Sequence, residues 1–389
     1  MPARIRSDRV STLVQSEIRA MTRACNEVGG VNLGQGICDV PTPPLVKEAA
    51  IAAIRADEST YTRYDGTAKL RAALARKLAK HNGITADPET EVVVTIGATG
   101  ALASTLMALA NPGDEILLFE PYYGYHLNTA IVAGMTPKFL KLDPPDFTID
   151  FDAVRDAFGP KTRAVLVNTP TNPSGRVWTR EELETLGQIA AEHDALVITD
   201  EVYEYMVYPG AEHVSAASIP SMRDRTITIG SYSKTFSITG WRIGFVTAPA
   251  ELAAPIGLVN DLFYVCAPAP LQQAVADAID TLGDDYYDDM AALYLKKRDA
   301  FCGVLTDIGL TPIVPRGAYY VLSDVSSLGC ETAKEAAMKL LHEAKVASVP
   351  GSAFYTGATG ETLTRFCYAK QDVDLDRACE QLTAWARTR

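Results

Sequence analysis

The sequence predicts an α/β protein with a large domain, built on a mostly parallel and doubly wound sheet, and a smaller α+β domain formed by the N- and C-terminal segments. Between about residues 45 and 250, segments with helical periodicity alternate with short apolar runs, which is typical of helices that cover a buried sheet. After about residue 250 this alternation is lost. We therefore expect a large domain over 45–285 and a small domain over 1–44 together with 286–389.

The elements of the large domain follow from local patterns, in chain order. Helical spacing of apolar residues predicts helices over 43–54 and 70–81. The β-rich run 91–97 predicts a strand, and the small-residue stretch after it predicts a helix that ends at Pro112-Gly113. Further apolar runs predict strands at 115–120, 163–168, 195–200, 226–230 and 243–248. Polar residues cluster just after these strands, at the edge where such sheets bind their ligands.

The sequence pattern of the C-terminal part predicts helices that alternate with a few short strands. Helices are expected over 268–283, 285–308 and 332–345, and from 374 onward. Strands are expected in AYYVLSDV, VASVPG and LTRFCYA. The N-terminal segment 1–44 is too short to bury a core by itself, so we expect it to pack against this smaller domain.

Composition and charge restrict the function classes. The 389 residues are 47% hydrophobic and 22% charged, which is typical of a soluble globular protein and excludes a disordered or collagen-like chain. With 36 Lys and Arg against 48 Asp and Glu, the net charge is −12, so we expect neither nucleic acid nor an anionic membrane as a partner. No stretch approaches the ~18 apolar residues that a membrane span needs.

Cysteine and histidine positions predict neither a disulfide framework nor a metal site. The seven cysteines are scattered and form no C-x-x-C pair, which favours a reducing compartment. The first residues are amphipathic rather than continuously apolar, so a cytoplasmic location is expected. None of the five histidines has the spacing of metal ligands, and no metal is expected.

Four polar residues follow the ends of predicted strands and are expected to share one crevice. Lys234 lies in the Ser/Thr/Gly-rich stretch GSYSKTFSITGWRIGF, directly after a predicted buried strand. Asp200 ends the strand ALVITD, Tyr203 follows it, and Asn172 lies in the loop NTPTNPSG after another strand. Because the carboxyl ends of strands in a doubly wound sheet meet at one edge, these side chains would face a common ligand.

Pyridoxal phosphate is a ligand that accounts for this set of residues. It needs a lysine that forms a Schiff base and an acidic partner for its pyridine nitrogen. Its phosphate would be bound at the turn 97–100, where a helix N-terminus presents backbone amides and the Thr99 hydroxyl. Ser231 and Arg242 can add a hydroxyl and a bidentate cation.

Each of these residues also has an ordinary structural interpretation when taken alone. A lysine on a loop is usually solvated, Asp200 could be the N-cap of a helix, and an arginine in an apolar strand, such as Arg365, is more often a paired structural residue. Tyr123 could be a core aromatic. The glycines of LGQG do not make a dinucleotide fingerprint, because Asp39 stands where the third glycine is required.

Over almost its whole length the chain resembles the fold-type I, pyridoxal-phosphate-dependent aminotransferases of class I and II, the group of the aspartate and kynurenine aminotransferases. The resemblance is carried by motifs in the order and spacing of that family: LGQGICDVPTPP, YTRYDG, GATGAL, NPGDE, EPYYGYH, NTPTNPSG, ITDEVYEY, SYSKTFSITGWRIGF and TRFCYA. It implies an enzyme that moves an amino group from an L-amino acid to a 2-oxo acid.

The resemblance assigns cofactor-binding roles by position. Lys234 would bond to the cofactor and then carry the proton between substrate and cofactor, Asp200 would pair with the pyridine nitrogen, and Asn172 and Tyr203 would bind the phenolate oxygen. The remaining cofactor-binding residues implied are Tyr123, stacked on the ring, and Ala98, Thr99, Ser231 and Arg242 at the phosphate.

The resemblance also implies substrate-binding residues and a homodimer. Arg365 would bind the substrate α-carboxylate, with Asn172 assisting and the backbone of Gly36 facing the same group. Tyr61 would reach the phosphate of a neighbouring subunit, as in relatives whose active sites are shared across a dimer interface.

The substrate side chain is predicted to be neutral or aromatic. No Arg or Lys occurs in 261–273 or in ATGALAS, two places where a group for a distal carboxylate would be expected, whereas Phe263, Tyr264 and Ile37 predict an apolar or aromatic wall. Ile37-Cys38 stands where Phe-Pro or Glu-Pro is frequent in the family, so the entrance loop is expected to differ. The acceptor would be 2-oxoglutarate or pyruvate.

Three alternatives stay open at this point. A pyridoxal-phosphate-dependent C–S β-lyase of the same fold would share Lys234, Asp200 and Arg365. A cofactor-binding regulator or other non-enzymatic member fits less well, because regulators usually carry a DNA-binding domain and this acidic chain has no room for one. A nicotinamide-dependent oxidoreductase fits less well, because the dinucleotide fingerprint is absent.

Overall fold

The computed structural model describes residues 7–13 and 16–389. The described strands, numbered in chain order, are β1 (Val31–Asn32), β2 (Val92–Ile96), β3 (Glu115–Glu120), β4 (Thr136–Lys141), β5 (Thr162–Asn168), β6 (Leu196–Asp200), β7 (Thr226–Ser231), β8 (Ile243–Thr247), β9 (Thr311–Ile313), β10 (Tyr320–Asp324), β11 (Val346–Ala347), β12 (Val349–Pro350) and β13 (Leu363–Cys367). They form three sheets of seven, four and two strands.

The described helices surround these sheets. They are α1 (Asp8–Ser11), α2 (Glu17–Val28), α3 (Pro44–Arg55), α4 (Ala68–Lys77), α5 (Gly97–Leu109), α6 (Gly124–Val132), α7 (Phe151–Ala157), α8 (Arg180–Glu192), α9 (Tyr232–Thr235), α10 (Ala250–Tyr264), α11 (Ala269–Thr281), α12 (Asp284–Asp307), α13 (Ala333–Ala344) and α14 (Asp372–Ala386). Local sequence sets several of their ends: Thr179 and Glu182 form a reciprocal capping box at the start of α8, and Asp150 caps α7.

The seven-stranded sheet confirms the predicted α/β fold with a mostly parallel sheet. Its strand order is β2-β8-β7-β6-β5-β3-β4, and only β8 runs antiparallel to its neighbours. Successive residues of β3 pack on opposite faces: Leu118 belongs to the core shared with α5, α6 and α10, whereas Leu117 belongs to the core shared with α7 and α8. Both faces of the sheet are therefore covered by helices.

Several elements of this part were not predicted, β4 and α10 among them. Strand β4 lies at the edge of the sheet, its two end residues are exposed and Leu140 alone of its six residues is buried, so it lacks the apolar run of the central strands. Helix α10 contains Pro255, a residue that usually argues against a helix interior, and this proline lies in its second turn.

The four-stranded sheet is antiparallel, with the order β12-β13-β10-β9. It aligns Leu322 of β10 with Arg365 of β13 and packs against α12, α13 and α14. Strand β1 pairs in parallel with β11, through Val31 and Val346, so the N-terminal segment is joined to the C-terminal part as expected. Residues 1–6 and 14–15 of that segment lie outside the described residues. Among the described helices, none combines the length and apolarity needed to cross a bilayer.

Candidate active site

Three neighbouring strands end at one cavity of about 250 Å³. Strands β5, β6 and β7 are adjacent in the sheet, and their registers align Asn168 with Asp200 and Asp200 with Ile229. The cavity is lined by every predicted site residue except Tyr61: Gly36, Ala98, Thr99, Tyr123, Asn172, Asp200, Tyr203, Ser231, Lys234, Arg242 and Arg365. Tyr61 is 82% exposed and lies elsewhere on the surface of this chain.

Lys234 lies in the short helix α9 immediately after β7 and extends into the cavity. Its Nζ donates a hydrogen bond to the carbonyl oxygen of Gly36 at 3.1 Å, and no described carboxylate forms an ion pair with it. Burial lowers the pKa of the Lys234 ammonium from its usual range, because the charged form is poorly solvated there. The side chain is therefore suited to react as a neutral amine, unlike the solvated lysine of a typical loop.

Asp200 ends β6 and is held by a histidine that the sequence did not single out. Its Oδ2 lies 2.8 Å from Nε2 of His126, a buried residue of α6, and its Oδ1 accepts from the backbone N–H of Val202. The His126 ring also meets the ring of Tyr123 edge-on, with centroids 5.3 Å apart. The three-residue spacing of Tyr123 and His126 at a helix start was the available indication that the two share one face.

Tyr203 and Tyr320 form a second unpredicted pair at the cavity. Their hydroxyl oxygens are 3.0 Å apart, and burial raises the pKa of Tyr203 well above its usual range and that of Tyr320 to about 12. Tyr320 lies on β10 of the small sheet, so it comes from the other end of the chain. A Cβ on Gly36 would collide with the Tyr320 hydroxyl, which explains a glycine at this position.

Arg365 is buried but has no ion-pair partner among the described residues. One nitrogen donates to Oδ1 of Asn172 at 2.8 Å and another to the carbonyl oxygen of Gly34 at 2.7 Å, while Nε has no partner. The guanidinium lies 4.4 Å and 4.9 Å from the ring centroids of Tyr320 and Phe354. A buried guanidinium with an N–H that no described residue binds fits a carboxylate ligand.

The N-terminus of α5 and the β7–α9 junction form a cradle for an anion. Gly97 has φ +65°, and a Cβ there would lie 2.5 Å from the Arg242 guanidinium, so only glycine permits this approach. Arg242 itself has φ +60° and donates to carbonyl oxygens of Ile96 and Thr239, with no ion pair to a described carboxylate. The Ser231 hydroxyl caps α9 beside it. A phosphate dianion fits these donors.

The donor set as a whole therefore fits pyridoxal phosphate. The Arg242 cradle fits its phosphate, Asp200 offers a carboxylate for its ring nitrogen, and Lys234 offers an amine for its aldehyde. Arg365 is left for the carboxylate of a second molecule, as an amino acid would supply.

A second cluster of charged residues lies next to Asp200, and its members bind one another. Ligand atoms of Glu201, Glu204 and His213 lie within 4.8 Å of one another, a spacing that could hold a metal. However, the Lys77 ammonium lies 2.5 Å from both oxygens of Glu204, and Ser215 and His213 contact Glu201. The cluster thus already contains its own cation.

Comparisons with known proteins agree with this site. The family model for Aminotransferase class I and II matches residues 28–382. The probable N-succinyldiaminopimelate aminotransferase DapC of Mycobacterium tuberculosis is 38% identical, over 97% of this chain and 96% of that relative. Kynurenine–oxoglutarate transaminase 3 of Mus musculus is 37% identical, over 94% and 86% of the two chains. The solved structure of YbdL from Escherichia coli, described as having a methionine aminotransferase function, has a TM-score of 0.94 at 30% identity, covering 98% of this chain and all of that one.

Proposed function

Because the chain belongs to the aminotransferases of class I and II, it is a pyridoxal-phosphate-dependent enzyme that transfers amino groups from amino acids to 2-oxo acids, and we propose that its donors are neutral and aromatic L-amino acids. The observation that carries this proposal is the cavity wall. Apolar and aromatic side chains form part of the lining, beside its polar and charged residues: Ile18, Ile37, Leu102, Tyr123, Tyr125 and Tyr320. The acceptor would be 2-oxoglutarate or pyruvate.

The relatives support a broad choice of donors. Their names refer to kynurenine, aromatic amino acids and, for a solved structure, methionine. All of them are named aminotransferases or transaminases, so none favours the C–S β-lyase that the motifs alone left open. The predicted wall residues Phe263 and Tyr264 do not line the cavity of their own chain, whereas Ile37 does.

We propose the following roles for the residues of the cavity in the reaction. Bound pyridoxal phosphate supplies an electron-accepting ring that stabilises negative charge at the substrate α-carbon. Arg365 and Asn172 bind and orient the α-carboxylate, and Lys234 Nζ, whose pKa is lowered by burial, moves the proton from the α-carbon. Asp200, held by His126, would offer its carboxylate to the pyridine nitrogen of the bound cofactor.

The remaining predicted residues are proposed to bind the cofactor. Asn172 and Tyr203 would bind its phenolate oxygen, and the ring of Tyr123 would stack on its pyridine face; both tyrosines line the cavity next to Asp200. The phosphate would be bound by Ala98, Thr99, Ser231 and Arg242, and by Tyr61 of a neighbouring subunit.

A homodimer with shared active sites is part of the proposal. Tyr61 lies outside its own cavity, and an unusually exposed apolar surface is present on α10, where Leu258 is 65% and Leu262 79% exposed. Burying such side chains against a second copy would be favourable. Light scattering of the purified protein should give twice the mass of one chain.

Domain division and location are also proposals. We propose a cofactor-binding domain over 45–285 and a small domain over 1–44 with 286–389, because the seven-stranded sheet lies within 92–247 and the four-stranded sheet within 311–367. We propose a cytoplasmic location because all seven cysteines are free thiols, as a reducing compartment requires.

An absorbance titration tests the donor proposal. L-amino acids are added one at a time to the purified enzyme, and the visible band of the bound cofactor is followed. Phenylalanine, methionine and kynurenine should bleach the band, and 2-oxoglutarate or pyruvate should restore it. Bleaching by aspartate alone would contradict the proposed donors, and a band that no amino acid changes would contradict transamination itself.

A further inference from the structure

The hydroxyl of Tyr320 lies at the active-site cavity but takes no part in the roles proposed above. Tyr320, on β10, is buried, and its hydroxyl oxygen lies 3.0 Å from that of Tyr203. Tyr203 is buried as well, and Tyr320 is the one hydrogen-bond partner of its hydroxyl among the described residues. Both side chains line the cavity beside Asp200. The two hydroxyls therefore share a hydrogen bond that is shielded from bulk water.

Contacts on several sides fix the position of the Tyr320 hydroxyl. Gly36 leaves the space that it occupies, since a Cβ at that residue would lie 2.0 Å from the hydroxyl oxygen. The centroid of the Tyr320 ring is 4.4 Å from the guanidinium of Arg365, on the neighbouring strand β13, and 5.9 Å from the centroid of the Tyr203 ring, which it meets edge-on. Tyr320 thus links the arginine proposed to bind the substrate to the tyrosine proposed to bind the cofactor.

The number of available protons decides the direction of this hydrogen bond. A tyrosine hydroxyl has a single proton to donate. If Tyr203 donates its proton to the phenolate oxygen of the cofactor, only Tyr320 can donate in the contact between the two hydroxyls. Burial raises the pKa of Tyr320 to about 12, a rise that the Arg365 cation opposes. Burial also raises the pKa of Tyr203, and the Asp200 carboxylate adds to that rise, so Tyr320 is the better donor of the two.

We propose that Tyr320 is a positioning residue, whose hydroxyl donates to the Tyr203 oxygen and holds the Tyr203 proton toward the phenolate oxygen of the bound cofactor. This proposal rests on the proposed function, in which Tyr203 binds that oxygen. Hydrogen bonds in a chain polarise one another, so the donor at the start of the chain strengthens the bond at its end. The phenolate is then stabilised, and the nitrogen that joins Lys234 to the cofactor takes up a proton less readily.

A pH titration of the visible cofactor band, without substrate, tests the proposal. The wild-type holoenzyme is compared with Tyr320→Phe, Tyr203→Phe and the double variant. Tyr320→Phe should raise the apparent pKa of the band by about 0.3–1 unit, as expected for the loss of one neutral hydrogen bond, and Tyr203→Phe should raise it further. In the Tyr203→Phe background, the loss of the Tyr320 hydroxyl should add less than about 0.1 unit, because Tyr320 acts through Tyr203.

Other titratable and charged groups face these atoms and are present in every variant. Those that face the two hydroxyls or Lys234 are Asp200, Tyr123, Tyr319, Arg365, Cys367, Cys38 and Arg242. Their effects are common to all the titration curves. The differences between the curves therefore report the two hydroxyls.

Tyr368→Phe is the matched control. Tyr368 and Tyr208 form a second buried pair whose hydroxyl oxygens are 3.0 Å apart, and Tyr368 does not line the cavity. Loss of the Tyr368 hydroxyl should lower Tm about as much as loss of the Tyr320 hydroxyl, but it should leave the pKa of the band within about 0.1 unit of wild type.

A ring-fluorinated tyrosine at position 320 provides a second variant if Tyr320→Phe fails to fold or to bind the cofactor. It keeps the hydroxyl and makes it more acidic, and therefore a stronger donor. The apparent pKa of the band should then fall. An unchanged or raised pKa in this variant would contradict the proposal.

Three results with the phenylalanine variants would overturn the proposal. They are an unchanged band pKa in Tyr320→Phe, an equal shift in Tyr368→Phe, and an equal effect of the Tyr320 hydroxyl with and without Tyr203, which would mean that Tyr320 contacts the cofactor itself. Failure of the proposed function is distinguishable, because it appears with Tyr320 intact. The wild-type protein would then show no cofactor band, or Tyr203→Phe would titrate as wild type, and either result would remove the premise of the Tyr320 role.

Discussion

Two groups of charged residues occupy neighbouring regions of the molecule and differ in how their charges are balanced. In the cavity, Arg242 and Arg365 have no ion pair with a described carboxylate. Behind it, Lys77 and Glu204 are buried and bind each other directly. Asp200 and Glu201 are consecutive residues, yet one lines the cavity and the other belongs to the closed cluster. Unbalanced charges thus mark the ligand site, and balanced ones mark structure.

The largest effect is expected at Lys234, whose amine we propose as the reactive group of the cavity. Replacing Lys234 with alanine should reduce transamination at least about a thousandfold, because it removes the group that we propose bonds to the cofactor and moves the α-proton. Steady-state turnover with phenylalanine and 2-oxoglutarate measures it. Lys80→Ala, at an exposed lysine paired with Asp284, is the control and should behave as wild type. Wild-type turnover in Lys234→Ala would refute the assignment.

Asp200→Asn tests whether the cavity needs this negative charge. The variant keeps the size of the side chain and a possible contact to His126 but removes the carboxylate 2.8 Å from Nε2. We expect kcat to fall about a hundredfold, since the variant loses the carboxylate that we propose pairs with the pyridine nitrogen. A stopped-flow half-reaction provides the rate. If the rate stayed within about twofold of wild type, the proposed role of Asp200 would be wrong.

Arg365→Ala removes one of the cavity cations that have no ion pair with a described carboxylate. KM for the amino donor should rise about 10- to 100-fold, as expected for the loss of a charge-assisted bidentate contact, with little change in cofactor affinity. Measuring KM and the cofactor Kd in the same variant separates the two effects. An equal loss of both would indicate a structural role.

Glu204→Leu removes a carboxylate from the buried cluster of paired charges. It should lower the stability of the protein and leave the rate of the reaction almost unchanged. It leaves the buried Lys77 without its partner, at a cost of about 3–5 kcal/mol in the free energy of unfolding. Thermal melts should show a clear drop in Tm, whereas kcat per folded molecule should change little. The double variant Lys77→Met/Glu204→Leu should recover much of the stability. A variant with normal Tm and low kcat would place Glu204 in the reaction.

The smallest expected effect is a pH dependence of stability at the rim of the same cluster. Burial of the His81 ring, which stacks on Tyr205, lowers the pKa of His81 from its usual value to about 4. Between pH 6.5 and about 4 the unfolded chain therefore binds a proton that the folded protein does not, so stability falls as the pH falls. His81→Phe should make this fall shallower by less than about 1 kcal/mol, because the residue is exposed and water screens its charge. Chemical unfolding at several pH values measures it.

Local patterns in the sequence predicted most elements that build the site. The central strands are continuous apolar runs, and β6 and β7 were predicted to within one residue because both faces of these strands are buried. The predicted residues Lys234, Asp200 and Arg365 follow or lie within such runs, and all line the cavity. The edge strand β4 was missed because solvent replaces one neighbour and the apolar run disappears.

By itself, the sequence determined the fold class and was enough to predict the residues that we propose as reactive groups, since both depend on local periodicity and on residue types at strand ends. Only the tertiary structure decided which charges are paired. It brought His126 to Asp200 and Tyr320 to Tyr203, across separations of 74 and 117 residues along the chain. Whether a buried charge is balanced depends on which distant side chains the packing of helices and sheets places beside it, and no local pattern records that.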